Sequence, residues 1–116
     1  MGIIGVGYIG KEVIEILKPF NCKILINDIL DLKGLEQKNI IQTEKDIIYS
    51  KSDFISIHTP LNDETYNLID LDVLKKMKST AFLINTSRGR IINEKDLKFA
   101  LENRIIAGAA IDVYEK

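Results

Sequence analysis

The chain has 116 residues, 46% of them hydrophobic and 28% charged, with a formal net charge of −1. That length fills one domain, residues 1–116, and a balanced charge without runs of one sign points away from nucleic-acid and membrane surfaces as partners. No apolar run reaches the length of a membrane span, and the single cysteine, Cys22, has neither a disulfide partner nor neighbouring metal ligands, so a cytoplasmic protein is expected.

The first apolar run, Gly2 to Ile4, predicts a short strand, and Gly5, Gly7 and Gly10 follow it in the pattern G-x-G-x-x-G. Ile9, Val13, Ile16, Leu17 and Phe20 then recur every three or four residues, which predicts a helix over Tyr8 to Lys18 with these residues as its apolar face, stopped by Pro19. A second strand is predicted over Lys23 to Asn27, ending at Asp28. Asn39 to Thr43 is a weaker candidate, suited to a sheet edge. Thr43 and Asp46 resemble a capping box for a short helix over Glu44 to Ser50. Phe54 to His58 predicts the next strand, Leu71 to Met77 a helix, and Ala81 to Asn85 a further strand. Asn93 suits the N-cap of a helix over Glu94 to Asn103, with Leu97, Ala100 and Leu101 facing inward, and Ile105 to Ile111 predicts the last strand. Strands that are Ile-rich and apolar on both faces, alternating with helices, define an α/β fold: a three-layer, doubly wound parallel sheet.

In that context the glycines acquire separate tasks. Gly5 makes a tight turn, Gly7 lets the backbone approach a pyrophosphate, and Gly10 lets the helix pack close to the strand. The amides of Tyr8 and Ile9, at the helix N-terminus, then face the phosphates, where the helix dipole favours negative charge. Asp28, eighteen residues after Gly10, is placed to accept hydrogen bonds from the adenosine ribose hydroxyls. Its charge would repel a 2′-phosphate, so NAD is expected rather than NADP. Asp31 is an alternative acid, and the structural alternative is that the glycines serve only packing while Asp28 caps a turn.

Three further segments, "SDFISIHTPLNDET", "LINTSRGRIIN" and "IIAGAAIDVYE", are more specific. Together they resemble the NAD-binding domain, a Rossmann fold, of the D-isomer-specific 2-hydroxyacid dehydrogenases, a family that includes phosphoglycerate, D-lactate and glycerate dehydrogenases and glyoxylate reductases. The resemblance runs from Gly2 to Lys116. It implies that Arg88 is the catalytic arginine that holds the substrate carboxylate, a task suited to a permanently charged, two-pronged guanidinium. It also implies that Asp112 bonds the nicotinamide carboxamide, that Asn85, Thr86 and Ser87 form the turn lining the nicotinamide ribose, and that His58, Thr59 and Pro60 pass over the cofactor. Arg90 departs from the family's usual small residue or proline and is expected to be exposed. His58, the only histidine, is expected to be structural or cofactor-adjacent, because the family's catalytic histidine lies further downstream.

The implied chemistry is hydride transfer between NAD and a small 2-hydroxy or 2-oxo acid. The family's catalytic glutamate and histidine fall beyond Lys116 and its substrate-binding domain is missing, so the chain alone is expected to be inactive; the full-length protein is expected to be a homodimer. Two other classes fit parts of the pattern. One is an NAD-sensing, corepressor-like binding module; the other is an S-adenosylmethionine-dependent methyltransferase, against which the Ser-Arg-Gly turn and the "AAIDV" strand argue.

Overall fold

The computed structural model describes residues 1–114; Glu115, which ends the "IIAGAAIDVYE" segment, and Lys116 lie outside the described residues. Six parallel strands, β1 (Gly2–Ile4), β2 (Ile24–Asn27), β3 (Ile40–Gln42), β4 (Phe54–Ile57), β5 (Phe82–Asn85) and β6 (Gly108–Ile111), form one sheet in the order β3-β2-β1-β4-β5-β6. Helices α1 (Tyr8–Leu17), α2 (Lys45–Lys51), α3 (Leu71–Lys76) and α4 (Glu94–Glu102) make the crossovers. Strand order reverses at β1, which pairs with β2 on one side and β4 on the other. The crevice at the carboxyl ends of these strands is where such sheets bind ligands.

The layers follow from strand alternation. Ile3 and Ile4 are both fully buried, yet they enter different clusters. Ile3 packs with Ile14, Ile24, Ile26 and Ile40 under α1, whereas Ile4 packs with Ile48, Ile55, Leu74 and Leu97 under the other three helices. Burying each such isoleucine stabilises the fold by about 1.5–3 kcal/mol. The α1 layer is the narrower one. On that face Phe54 and Phe82 stack at 5.6 Å between ring centroids and remain half exposed.

The expected elements form, with instructive shifts. Helix α1 turns Gly10 and Ile14 inward, with Val13 and Leu17 partly buried, and leaves Ile9 and Ile16 exposed, as is Phe20 in the 3-10 turn Lys18–Phe20 that follows. The inward stripe begins at a glycine, so a search for large apolar residues settles on a phase rotated around the helix. Helix α2 begins after Glu44 with no side-chain cap, so the Thr43–Asp46 capping box does not form. Asn93 caps α4 as expected, its side chain accepting from the Asp96 amide, and Leu97 and Ala100 are buried while Leu101 is exposed. The last strand starts only at Gly108. Before it, Arg104 adopts a left-handed φ of 55° and the Ile105 amide returns to the Ala100 carbonyl, so residues 104–105 close the helix, and pairing with the sheet begins only where the Ala107 amide donates to the Ala81 carbonyl at 2.9 Å. Asn39–Thr43 yields β3 at the sheet edge, as expected, and Cys22 is half-buried.

Candidate functional site

The glycine loop joins β1 to α1, and each glycine meets a different physical demand. Gly5 has a φ of 88°, and a Cβ there would lie 2.7 Å from the main-chain carbonyl of His58. A Cβ on Gly10 would lie 2.5 Å from the Gly5 carbonyl oxygen, so its absence lets the helix sit against the loop. At Gly7 a Cβ would meet nothing within 4 Å. The loop is open at that position.

Beyond Gly7, α1 starts with no side-chain cap and no acidic residue in its first turn. Its first amides, including those of Tyr8 and Ile9, have no acceptor within the helix and point where the dipole is positive. The open position at Gly7 and the uncapped amides fit a pyrophosphate. The Tyr8 side chain is 82% exposed.

Asp28 stands at the tip of β2, directly beside this loop. Its Oδ2 accepts from the Val6 amide at 2.6 Å and its Oδ1 from the Leu30 amide at 3.1 Å. A carboxylate offers about four lone-pair sites, so acceptor capacity remains. Asp31, the alternative, accepts instead from the Lys33 amide in an exposed turn.

Two clefts open along the carboxyl edge and share His58, Thr59 and Pro60. One, of about 200 Å³, is lined by Gly5, Gly7, Asn27 and Asp28; the other, of about 240 Å³, by Ile9, Thr86, Ser87 and Arg88. The shared segment is held from both sides. The His58 amide donates to the Ile4 carbonyl at 2.7 Å, and the Ser87 hydroxyl donates to the Thr59 carbonyl at 3.0 Å. The His58 imidazole Nε2 lies 2.7 Å from the buried Ser56 hydroxyl, and burial pushes its pKa below the ordinary value. A neutral ring follows near pH 7.

At the end of β5, Asn85 is fully buried while Thr86 and Arg88 are exposed. The Arg88 guanidinium donates from Nη1 to the Ser87 carbonyl at 2.8 Å and enters no ion pair among the described residues. Asp112 sits at the end of β6, exposed; its amide donates to the Asn85 carbonyl at 3.1 Å, and it lines neither cleft. Arg90 is not simply exposed. It is half-buried, and its Nη1 lies 3.3 Å from the Tyr66 hydroxyl.

Sequence reasoning missed the far wall of the first cleft, formed by Ile29, Lys45, Asn62, Glu64, Thr65 and Leu68. A signal existed in "NDET": the Asn62 Oδ1 accepts from the Glu64 and Thr65 amides, and the Thr65 hydroxyl returns to the Pro60 carbonyl at 2.6 Å. Such an Asx turn is a local device that a short polar side chain makes possible.

A doubly wound parallel sheet with a glycine loop at its switch point and an acid at the tip of the next strand defines a dinucleotide-binding domain of the Rossmann type. The family model for the D-isomer specific 2-hydroxyacid dehydrogenase, NAD binding domain, matches residues 1–116. The chain belongs to that family. It is 44% identical over 118 residues to a glyoxylate reductase of Thermofilum pendens, covering 100% of this chain and 35% of that one. A D-lactate dehydrogenase of Lactiplantibacillus plantarum is 36% identical over 115 residues, again with 35% of its length covered. Among solved structures, the D-isomer specific 2-hydroxyacid dehydrogenase of Lactobacillus delbrueckii ssp. bulgaricus in its NAD complexed form superposes with a TM-score of 0.93 at 37% identity, over 98% of this chain and 34% of that one. The D-lactate dehydrogenase of Aquifex aeolicus complexed with NAD and lactic acid gives 0.94 at 33% identity, over 99% and 34%. The chain thus spans about a third of the length of the curated relatives it matches.

Proposed function

We propose that this chain is the cofactor-holding part of an oxidoreductase that moves hydride between NAD and a small 2-hydroxy or 2-oxo acid. Bound NAD supplies the nicotinamide carbon that gives or takes the hydride. The chain's own residues hold and orient. The amides from Gly7 to Gly10 receive the pyrophosphate, and Asp28 accepts from the adenosine ribose hydroxyls while its charge disfavours a 2′-phosphate. His58, Thr59 and Pro60 pass over the middle of the cofactor. Asn85, Thr86 and Ser87 line the nicotinamide ribose, and Asp112 accepts from the carboxamide. Arg88 anchors the substrate carboxylate by two-point hydrogen bonding, next to the carbonyl that is reduced.

The single observation that carries this reading is the meeting of the two clefts at His58–Pro60, with Asp28 on one side and Arg88 on the other. Calorimetric titration with NAD and NADP tests it. NAD should bind and NADP should bind at least about tenfold more weakly, with Asp28→Ala narrowing that gap; equal affinities for both in the unaltered chain would contradict the role given to Asp28.

The full-length protein is proposed to act as a homodimer in the cytoplasm. Exposed Ile16 on α1 and Phe20 in the 3-10 turn that follows it support a second copy against that side of the domain, and an unpaired Cys22 suits a reducing compartment. Sedimentation of the full-length protein with Phe20→Glu checks the first point: a shift toward monomer is expected, and an unchanged dimer would move the interface elsewhere.

A further inference from the structure

Asn85 is fully buried at the end of β5, and both ends of its side chain are used. Its Nδ2 donates to the Arg88 carbonyl at 2.9 Å, and its Oδ1 accepts from the Ser87 amide at 3.0 Å. Its main-chain carbonyl accepts from the Asp112 amide at 3.1 Å. Ser87, held in this way, donates its hydroxyl to the Thr59 carbonyl at 3.0 Å. One residue therefore touches the backbone of Ser87, Arg88 and Asp112, and reaches the His58–Pro60 segment through Ser87.

A buried amide side chain is costly unless its hydrogen bonds are made, and an apolar residue would fill the same space without that cost. Packing alone does not call for asparagine here. What the amide adds is direction: it folds the chain after β5 back on itself, so that residues 86–88 leave the sheet as a tight turn. We infer that Asn85 is a positioning residue whose side chain sets the placement of Ser87 and Arg88 at the nicotinamide end of the site, and that it does not itself bind the cofactor through its side chain. This rests on the proposed function and sharpens it: the Asn85 side chain is committed to the turn, which leaves the exposed Thr86 and the main chain after Asn85 to face a ligand.

The adenosine end offers an internal control, because its loop, Gly5 to Gly10 with Asp28, makes no hydrogen bond to Asn85 among the described residues. The test is calorimetric titration of the full chain and of Asn85→Asp with NAD and, separately, with ADP, which has the adenosine and pyrophosphate but no nicotinamide. Asn85→Asp keeps the size and the acceptor for the Ser87 amide, and it sets an oxygen against the Arg88 carbonyl in place of the donor. The expected result is an NAD dissociation constant raised about tenfold with the ADP constant within about twofold of its original value. A merely structural role would not separate the two ligands. Equal weakening of both, or no change in either, would overturn the inference. If circular dichroism shows Asn85→Asp unfolded, Asn85→Ser is measured by the same criteria. An unaltered chain that binds neither ligand would defeat the proposed function itself, whereas one that binds both while the variant shows no split would defeat only the role of Asn85.

Discussion

The Val6 amide donates to Asp28 Oδ2 across 2.6 Å, tying the glycine loop to the tip of the neighbouring strand. Asp28 thereby shapes the loop as well as facing the first cleft. Asp28→Ala leaves the amide of Val6, a residue only 3% exposed, without its partner. An unsatisfied buried donor costs about 1–3 kcal/mol, so a lower melting temperature should accompany weaker NAD binding. Scanning calorimetry with and without NAD checks both outcomes.

Gly7 and Gly10 separate binding from folding. Alanine at Gly10 drives a Cβ to 2.5 Å from the Gly5 carbonyl oxygen, and because both groups are backbone neither can step aside. Overpacking of this kind costs about 1–3 kcal/mol or more. Gly7→Ala meets nothing within 4 Å, so stability should hold while NAD affinity falls, since the new methyl projects into the open cradle. Urea melts and NAD titrations of the two variants should give opposite profiles.

His58 gives the fold a pH dependence of known sign. Burial lowers its pKa below the ordinary 6.5, so the unfolded chain takes up the proton more readily than the folded one. Its stability term is at full value above pH 6.5 and is lost as pH falls from there through the lowered folded value. His58→Gln should remove this part of the slope. Urea melts from about pH 8 to about pH 5 should show the unaltered chain losing more stability than the variant over the acid half of that range.

Arg88 carries the proposed substrate contact, but the one histidine that lines the same cleft is poorly placed to move protons. Its Nε2 is engaged with the buried Ser56 hydroxyl, and its ring is half-buried. The 116-residue chain should therefore bind NADH without turning over glyoxylate or pyruvate, as read by loss of absorbance from the reduced nicotinamide. Turnover that Arg88→Ala abolishes would contradict this.

What was legible in the sequence divides along physical lines. The strand–glycine–helix–strand–acid series was readable because each step depends on local chain geometry: a positive φ at Gly5, a close approach at Gly10, and an acid at the end of an apolar run. Asn93 was readable as a cap for the same reason, since a cap acts over three residues. The phase of α1 was not, because its inward stripe starts at a glycine and the large apolar residues at positions 9, 16 and 20 lie outside it. The far wall of the first cleft was hidden too, since Ile29, Lys45 and Leu68 meet only after three crossovers have been made. The inward turn of Asn85 depends on hydrogen bonds to residues two and three positions on, and nothing in residue type alone separates that from a side chain facing a ligand.

The most direct test of the account is a titration of isotope-labelled chain with NAD, followed by the backbone amide resonances. The glycine-loop reading predicts that Gly7, Tyr8, Ile9 and Gly10 shift together with Thr86 to Arg88, while amides at the opposite edge of the sheet, such as Phe54 and Phe82, stay in place. Saturable binding of NAD that leaves the Gly7–Gly10 amides unmoved would contradict it.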